Sequence, residues 1–170
     1  AKPDRVRKSL DILSEVPILF AKAQLEAGAD AIVWADHATG DLIRNTMYRD
    51  FLLWRHQELV PRVTAPVILH CCGKSLDRIE FFRDTGFDMY HFESANEAEK
   101  MVEGADGKIR LAGNINNPQT LMQQGPDEVR VEVQRAIDAG VDIIAPECAV
   151  PLQTPVRNLQ TIVEVCRENR

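Results

Sequence analysis

Short apolar runs that follow a glycine and an aspartate recur three times along this chain. The runs are Ala31–Trp34, Met89–Phe92 and Ile143–Ala145, and each follows a Gly, one further residue and an Asp. Glycine is the usual residue just after a helix, where the backbone turns left-handed, and a short apolar run is typical of a buried strand. The repeat therefore predicts helices that alternate with the strands of a parallel sheet.

Two more strands and the intervening helices fit the same alternation. Strands are predicted at Pro66–Leu69 and Ile109–Ala112, which makes five in all. Helices are predicted over residues 4–27 (with a break or kink at Pro17), 41–60, 75–85, 95–102, 126–139 and 155–168. No linker or low-complexity segment interrupts the pattern, so we expect one structural unit over residues 1–170. The alternation fits either a barrel or an open doubly wound sheet.

Composition narrows the class of protein. The chain has 170 residues with ordinary hydrophobic (45%) and charged (27%) fractions, which excludes a disordered, collagen-like or coiled-coil protein. It falls short of the ~250 residues of a complete (β/α)8 barrel. The net charge of −6, without a basic cluster, argues against a nucleic-acid partner. No apolar run approaches the ~20 residues that span a bilayer, so we expect no membrane association.

The spacing of the cysteines and the start of the chain indicate the cellular compartment. The four cysteines are not spaced like a disulfide framework, and no signal-peptide pattern is present. We therefore expect a reduced, cytoplasmic protein, and Ala1 suggests a processed or trimmed start. Glycine-rich phosphate loops are absent, which weakens a nucleotide-binding interpretation.

Side chains that bind metals stand at the predicted strand ends. His70 and Cys72, two residues apart, project to the same side where the strand from Pro66 ends. Glu93 follows the next strand, and Cys148 follows the last one. Ligands gather at the carboxyl ends of parallel strands, and three fixed ligands with a displaceable fourth are typical of a catalytic zinc site. His70 or Cys148 alone fits a structural role better than a ligand role; the combination is what indicates zinc.

Nearby residues of similar chemistry have simpler interpretations. Cys71 faces away from His70, and Cys166 lies in line with apolar residues of the last helix, so both are expected to pack in the core. His91 lies deeper than Glu93 and is also expected to be a core residue. Lys74 and Arg78 follow the His-x-Cys segment and are expected to be solvated.

Two further polar residues end strands. Asp36, at the end of the first strand, is a candidate catalytic residue that orients a zinc ligand or lines the substrate pocket. A hydrogen bond within its own loop is an equal alternative. Asn114, at the end of the fourth strand, is a candidate for cofactor binding, and its place beside Gly113 also suits a tight turn.

From about Ala27 onward, the chain resembles the C-terminal half of the uroporphyrinogen decarboxylase superfamily, and within it the methylcobamide:coenzyme M methyltransferases. The similarity rests on Asp36–Ile43, Leu69–Lys74, Gly113–Asn114 and Ala145–Pro151, followed by Thr154, Pro155 and Asn158. The resemblance implies an α/β fold that is the C-terminal half of a TIM (β/α)8 barrel. It also implies a zinc held by an H-x-C…C motif, which falls on His70, Cys72 and Cys148, with Glu93 at the position of a further ligand.

The chemistry implied by the resemblance is methyl transfer to a thiol. A small thiol such as coenzyme M would bind zinc in place of Glu93 or water, lose its proton and attack the methyl group of a methylated corrinoid such as methylcobalamin. The products would be a methyl thioether and a cobalt(I) corrinoid. The corrinoid-binding pattern D-x-H-x-x-G is absent here, so a separate carrier protein is expected to deliver the corrinoid.

Three other functions remain open at this point. The first is a metal-free, decarboxylase-like lyase that acts on a porphyrin. The second is a non-catalytic half-barrel that binds zinc or a corrinoid, and the third is an open α/β sheet with Cys72 or Cys148 as nucleophile. A half-barrel exposes unpaired strand edges, so if these residues are the whole polypeptide we expect a homo-oligomer or a partner that completes the sheet.

Overall fold

One five-stranded parallel sheet organises the molecule. The structure is a computed structural model that describes residues 2–170. The strands are β1 (Ile32–Asp36), β2 (Val67–Cys71), β3 (Met89–His91), β4 (Arg110–Ile115) and β5 (Ile143–Pro146). All neighbouring pairs are parallel, and their order in the sheet is their order in the sequence. The five strands predicted from the apolar runs are confirmed.

The strand order distinguishes a barrel from a doubly wound sheet. Every connection steps to the next strand in the same direction, and because such connections are right-handed, they all lie on one face. A doubly wound sheet instead reverses direction and carries helices on both faces. Side chains of β2 alternate accordingly: Val67, Leu69 and Cys71 are buried, whereas Ile68 and His70 are half-buried. The fold is part of a TIM barrel, and Cys71 packs in its core as predicted.

Eight α-helices precede, connect or follow the strands in the described part of the chain. They are α1 (Pro3–Leu13), α2 (Glu15–Glu26), α3 (Asn45–Tyr48), α4 (Trp54–Leu59), α5 (Ile79–Phe82), α6 (Ala98–Ala105), α7 (Pro126–Ala139) and α8 (Val156–Glu168). A π-helical turn, Arg49–Leu53, joins α3 to α4, and a second one, Asn117–Leu121, follows β4. Shorter 3-10 turns occupy Val60–Arg62 and Leu76–Arg78. The π-helical turns were not predicted from the sequence.

The break in the first helical segment lies three residues before the predicted position. The chain leaves the helix at Ser14 rather than at Pro17. A proline ring clashes with the carbonyl group four residues earlier and cannot donate a hydrogen bond to it, so the break falls just after Leu13. Pro17 then lies in the first turn of α2, where no backbone donor is needed.

The core lies between the sheet and the helices. Its aromatic side chains pack edge to face, with ring centroids 4.8 Å apart for Phe82 and Tyr90 and 5.1 Å apart for Tyr48 and Phe82. The opposite face of the sheet is open, and Val33 on β1 (61% exposed) and Ile143 on β5 (49% exposed) show it. Within residues 2–170, no helix is both long enough and apolar enough to cross a membrane.

Candidate metal centre

Four potential metal ligands meet at the carboxyl edge of the sheet. One ligand atom from each of His70, Cys72, Glu93 and Cys148 lies within 4.8 Å of the others. The Cys72 and Cys148 sulfurs are 3.3 Å apart, and the Cys72 sulfur is 3.2 Å from His70 Nε2. Cys148 is exposed and the other three are half-buried, so the group opens on one side.

The dimensions and chemistry of this group fit zinc. A tetrahedral zinc with usual bond lengths separates two sulfurs by about 3.8 Å, and a sulfur from a nitrogen by about 3.5 Å. The observed separations are a few tenths of an ångström shorter, a difference that small side-chain rotations can supply. Soft thiolates with an imidazole favour zinc over calcium or magnesium, which prefer oxygen ligands.

Local electrostatics affects the Cys72 thiol and the His70 imidazole in opposite directions. Burial raises the pKa of Cys72 to about 12, and the hydrogen bond with Cys148 and the nearby charge of Glu93 act in the same direction. Burial, together with the neighbouring His91, lowers the pKa of His70. His70 is therefore held in the neutral form that binds metals, whereas Cys72 requires a nearby cation to become a thiolate.

Side chains from two other loops fix the loop that follows Cys72. The Gly73 N–H donates to Glu93 Oε2 at 2.6 Å, and the Lys74 N–H donates to Asp41 Oδ2 at 2.9 Å. Gly73 has a φ of +78°, and a Cβ there would lie 2.4 Å from Asp41 Oδ2. A glycine is required at this position for both conformation and space.

A buried chain of polar groups holds Asp36. Its Oδ1 accepts a hydrogen bond from the Ala38 N–H at 2.8 Å, and its Oδ2 lies 3.3 Å from His56 Nε2. His56 Nδ1 in turn lies 2.7 Å from the Tyr48 hydroxyl. Burial opposes ionisation of Asp36, but the contacts with His56 and Ala38 outweigh it and lower the pKa of Asp36. Asp36 makes the loop hydrogen bond and does not join the four ligands; its catalytic role stays a prediction.

Asn114 also lies outside the four-ligand group. It is part of β4, which continues to Ile115, so the tight-turn interpretation is wrong. Gly113 lies so close to the neighbouring strand that a Cβ would be 2.4 Å from the Phe92 carbonyl oxygen, and the Gly113–Asn114 peptide is cis. The Asn114 amide donates to the Asn96 carbonyl at 3.2 Å. Its role in cofactor binding stays a prediction.

His91, on β3, packs against His70 of the candidate metal group. The sheet register places it between His70 and Ala112, and the two imidazole centroids are 4.8 Å apart. His91 Nε2 donates to the Pro146 carbonyl at 2.9 Å, across β4. The half-buried His91 therefore packs under one ligand and contacts the strand that precedes Cys148.

Arg78 is the clearest correction to the sequence analysis. Lys74 is exposed as expected, but Arg78 is fully buried. Its guanidinium donates to the carbonyls of Ala38 (2.5 Å) and Ile43 (2.9 Å) and to the Asp77 carboxylate (2.9 Å). Arg78 therefore joins the loop after β1 to the segment after β2.

Three other buried polar residues were also missed: Asn96, Asn117 and Glu147 are each at least 92% buried. Asn96 Oδ1 accepts from the backbone N–H groups of two residues in the loop after Cys72, Ser75 and Leu76. Each of the three follows a predicted strand by a few residues, which is a sequence signal that could have identified them. Arg78 gave no such signal.

The chain is similar in sequence and structure to known methyltransferases. The methylcobamide:CoM methyltransferase MtaA of Methanosarcina barkeri is 36% identical over 169 residues, covering 95% of this chain and 48% of the relative. A methylated-thiol–coenzyme M methyltransferase of Methanosarcina mazei is 27% identical over 168 residues, covering 98% of this chain and 45% of the relative. A solved methyltransferase structure from Methanosarcina mazei has a TM-score of 0.94 and 34% identity, covering 99% of this chain and 50% of its own.

The chain spans about half the length of these relatives. The family model described as uroporphyrinogen decarboxylase (URO-D) matches residues 1–169. Together with the order of the parallel strands, this match shows that the chain belongs to the uroporphyrinogen decarboxylase family.

Proposed function

We propose that this chain carries the zinc site of a methyltransferase that transfers a methyl group from a methylated corrinoid to a small thiol. The observation that carries the proposal is the convergence of an imidazole, two thiols and a carboxylate at one edge of the sheet. The similarity to methylcobamide:CoM methyltransferases makes coenzyme M the first thiol to test. A corrinoid carrier protein is the proposed source of the methyl group.

Each residue of the group has a defined task in this proposal. His70 Nε2 and the sulfurs of Cys72 and Cys148 are the three permanent ligands, and Glu93 is the ligand that the substrate displaces. The Gly73 N–H, which already donates to Glu93 Oε2 at 2.6 Å, keeps the displaced carboxylate beside the site. Zinc, when bound, supplies the positive charge that keeps a thiol deprotonated near neutral pH.

The transfer balances without an added oxidant or reductant. The thiol loses its proton to solvent, and its sulfur forms a bond to the methyl carbon. The cobalt–carbon bond breaks at the same time, and its electron pair stays on cobalt, which changes from Co(III) to Co(I). The products are a methyl thioether and a reduced corrinoid.

The open face of the sheet supports a further part of the proposal. Within residues 2–170, the terminal strands β1 and β5 each have a strand partner on one side only, and their residues Val33 and Ile143 expose apolar surface. Such edges pair readily with other strands. We propose that further strands, from the same polypeptide or from a second copy, close the barrel over the site. Sedimentation of the 170-residue chain tests this, and a monodisperse monomer would argue against the second copy.

Metal content with a methyl-transfer assay tests the proposed function. We expect about one zinc per chain in the wild type, none in Cys148→Ser and full retention in Cys166→Ser, because Cys166 lies on α8 away from the site. Methylcobalamin and coenzyme M serve as substrates, and loss of the cobalt–carbon absorbance reports transfer. Absence of metal in the wild type would favour the lyase, and metal without transfer would favour a binding role.

A further inference from the structure

A buried carboxylate stands next to the last ligand of the metal centre. Glu147, between the end of β5 and Cys148, is 8% exposed. Its Oε2 accepts hydrogen bonds from the Ser94 N–H at 2.8 Å and the Ser94 hydroxyl at 2.5 Å. Its Oε1 accepts from the Asn117 N–H at 3.0 Å. One carboxylate on the loop after β5 therefore contacts the loops that follow β3 and β4.

These contacts join the loops of two proposed ligands that lie two strands apart in the sheet. Ser94 directly follows Glu93, and Glu147 directly precedes Cys148. Glu93 lies beyond β3 and Cys148 beyond β5, and β4 separates these strands. β4 pairs with both β3 and β5, but the two ligands lie beyond the ends of these strands, where the Glu147 side chain joins their loops. Glu147 spans that separation with two hydrogen bonds to Ser94.

Asn117 holds the same segment from the other side. Its amide nitrogen lies 3.3 Å from the Glu147 carbonyl, 3.1 Å from the Cys148 carbonyl and 3.0 Å from the Ala149 carbonyl. The backbone around Cys148 is therefore fixed by Asn117, while the Glu147 carboxylate fixes its distance from the β3 loop. Asn117 thus fixes the backbone conformation at Cys148, and Glu147 fixes the position of that backbone relative to Ser94.

Burial of a carboxylate at this position carries a desolvation cost that its hydrogen bonds must offset. Within residues 2–170, the donors to the Glu147 carboxylate are neutral: the N–H and hydroxyl of Ser94 and the N–H of Asn117. An ionised carboxylate can accept from both loops at once, whereas a glutamine would direct an N–H at one of these donors. Only the acid can bridge the β3 and β4 loops with all contacts satisfied.

We propose that Glu147 is a positioning residue that sets the separation of Glu93 and Cys148 in the metal centre. The inference rests on the proposed zinc site and concerns a residue that does not itself bind the metal. Residues that hold metal ligands in place typically contribute about 10- to 100-fold to metal affinity. Glu147 acts in this way through Ser94 and through its own backbone link to Cys148.

Metal titration of the 170-residue chain tests this inference. Zn²⁺ and Co²⁺ are titrated against a chromophoric chelator in wild type, Glu147→Gln and Glu128→Gln. Glu128 is the control because its Oε2 also accepts a backbone N–H, from Gly125 at 3.1 Å, but at the start of α7 rather than on a ligand loop. We expect the Kd of Glu147→Gln to rise at least about tenfold, with a shifted cobalt d–d spectrum, and that of Glu128→Gln to stay within about twofold.

A second experiment, with Glu147→Gln in a Glu93→Ala chain, distinguishes a positioning role of Glu147 from general destabilisation of the fold. If Glu147 acts by placing Glu93, then Glu147→Gln should weaken metal binding much less in a Glu93→Ala chain than in the wild type. Equal losses in both backgrounds would overturn the inference. If Glu147→Gln does not fold, Ser94→Ala replaces it, since it removes one hydrogen bond to the carboxylate; unchanged affinity in that variant would also overturn it.

The outcomes keep the two proposals apart. A wild type that binds neither Zn²⁺ nor Co²⁺ refutes the proposed zinc site. A wild type that binds both, with a Glu147→Gln variant of equal affinity and identical cobalt spectrum, leaves the zinc site intact and refutes only the role of Glu147.

Discussion

Replacement of the buried Arg78 by methionine removes the connection between two loops beside the site. The guanidinium donates to the carbonyls of Ala38 and Ile43 and to Asp77, and no part of the side chain reaches solvent. Methionine fills a similar length without donating hydrogen bonds. In Arg78→Met, both carbonyls lose their guanidinium donor, whereas Asp77, half of whose side chain is exposed, becomes hydrated.

The magnitude follows from those two carbonyls. A buried acceptor that loses its partner costs about 1–3 kcal/mol, so two cost about 2–6 kcal/mol. The desolvation of the guanidinium, which the variant no longer bears, offsets part of this cost. We therefore expect Arg78→Met to lower the free energy of unfolding by about 2–5 kcal/mol, a large share of the ~5–15 kcal/mol of an ordinary domain.

Urea unfolding with tryptophan fluorescence measures this loss. Trp34 lies on β1 and packs edge-on against His56, so its emission reports the region that Arg78 stabilises. Arg130→Met is the control, because the Arg130 side chain is 42% exposed and its ion pair with Glu168 is worth at most about 1 kcal/mol. If Arg78→Met loses no more free energy than Arg130→Met, the burial argument is refuted.

Two further variants test the loops around the centre. Contacts with His56 lower the pKa of Asp36 despite its burial, so Asp36 stabilises the fold above about pH 4, and this contribution is lost as the pH falls through the lowered pKa. The difference in free energy of unfolding between wild type and Asp36→Asn should therefore shrink between about pH 6 and about pH 3. A difference that grows over this range would contradict the argument. Gly73→Ala should lower Tm more than Gly28→Ala, because both positions have positive φ but only at Gly73 would a Cβ collide, with Asp41; equal shifts would contradict it.

The fold was largely predictable because its signals are local. Glycine after a helix and a short apolar run after the glycine depend only on neighbouring residues, and they located all five strands. The helix break was predicted at Pro17 but lies at Ser14, because the proline ring clashes with a carbonyl four residues earlier. The π-helical turn Arg49–Leu53 was not predicted, since an extra residue in a helical turn leaves the apolar spacing nearly unchanged.

The convergence of the four candidate ligands was predictable for a similar reason, but the residues that hold them in place were not. His70 and Cys72 follow from the period of two along a strand, and Glu93 and Cys148 from their places at strand ends. The burial of Arg78, in contrast, depends on carbonyls 35 to 40 residues away. The contacts between Asp36 and His56 likewise join residues whose approach no local pattern indicates.

The sulfur pair at the metal centre also has a consequence for chain entropy. Cys72 and Cys148 are 76 residues apart in sequence, yet their sulfurs are 3.3 Å apart. An ion bound to both closes a loop that contains β3, β4 and β5. By analogy with a disulfide of that loop length, such a link removes about 4–5 kcal/mol of conformational entropy from the unfolded chain. Such an ion would be a removable cross-link over three of the five strands, whereas α1, α2 and β1 lie outside the loop and would unfold without its restraint.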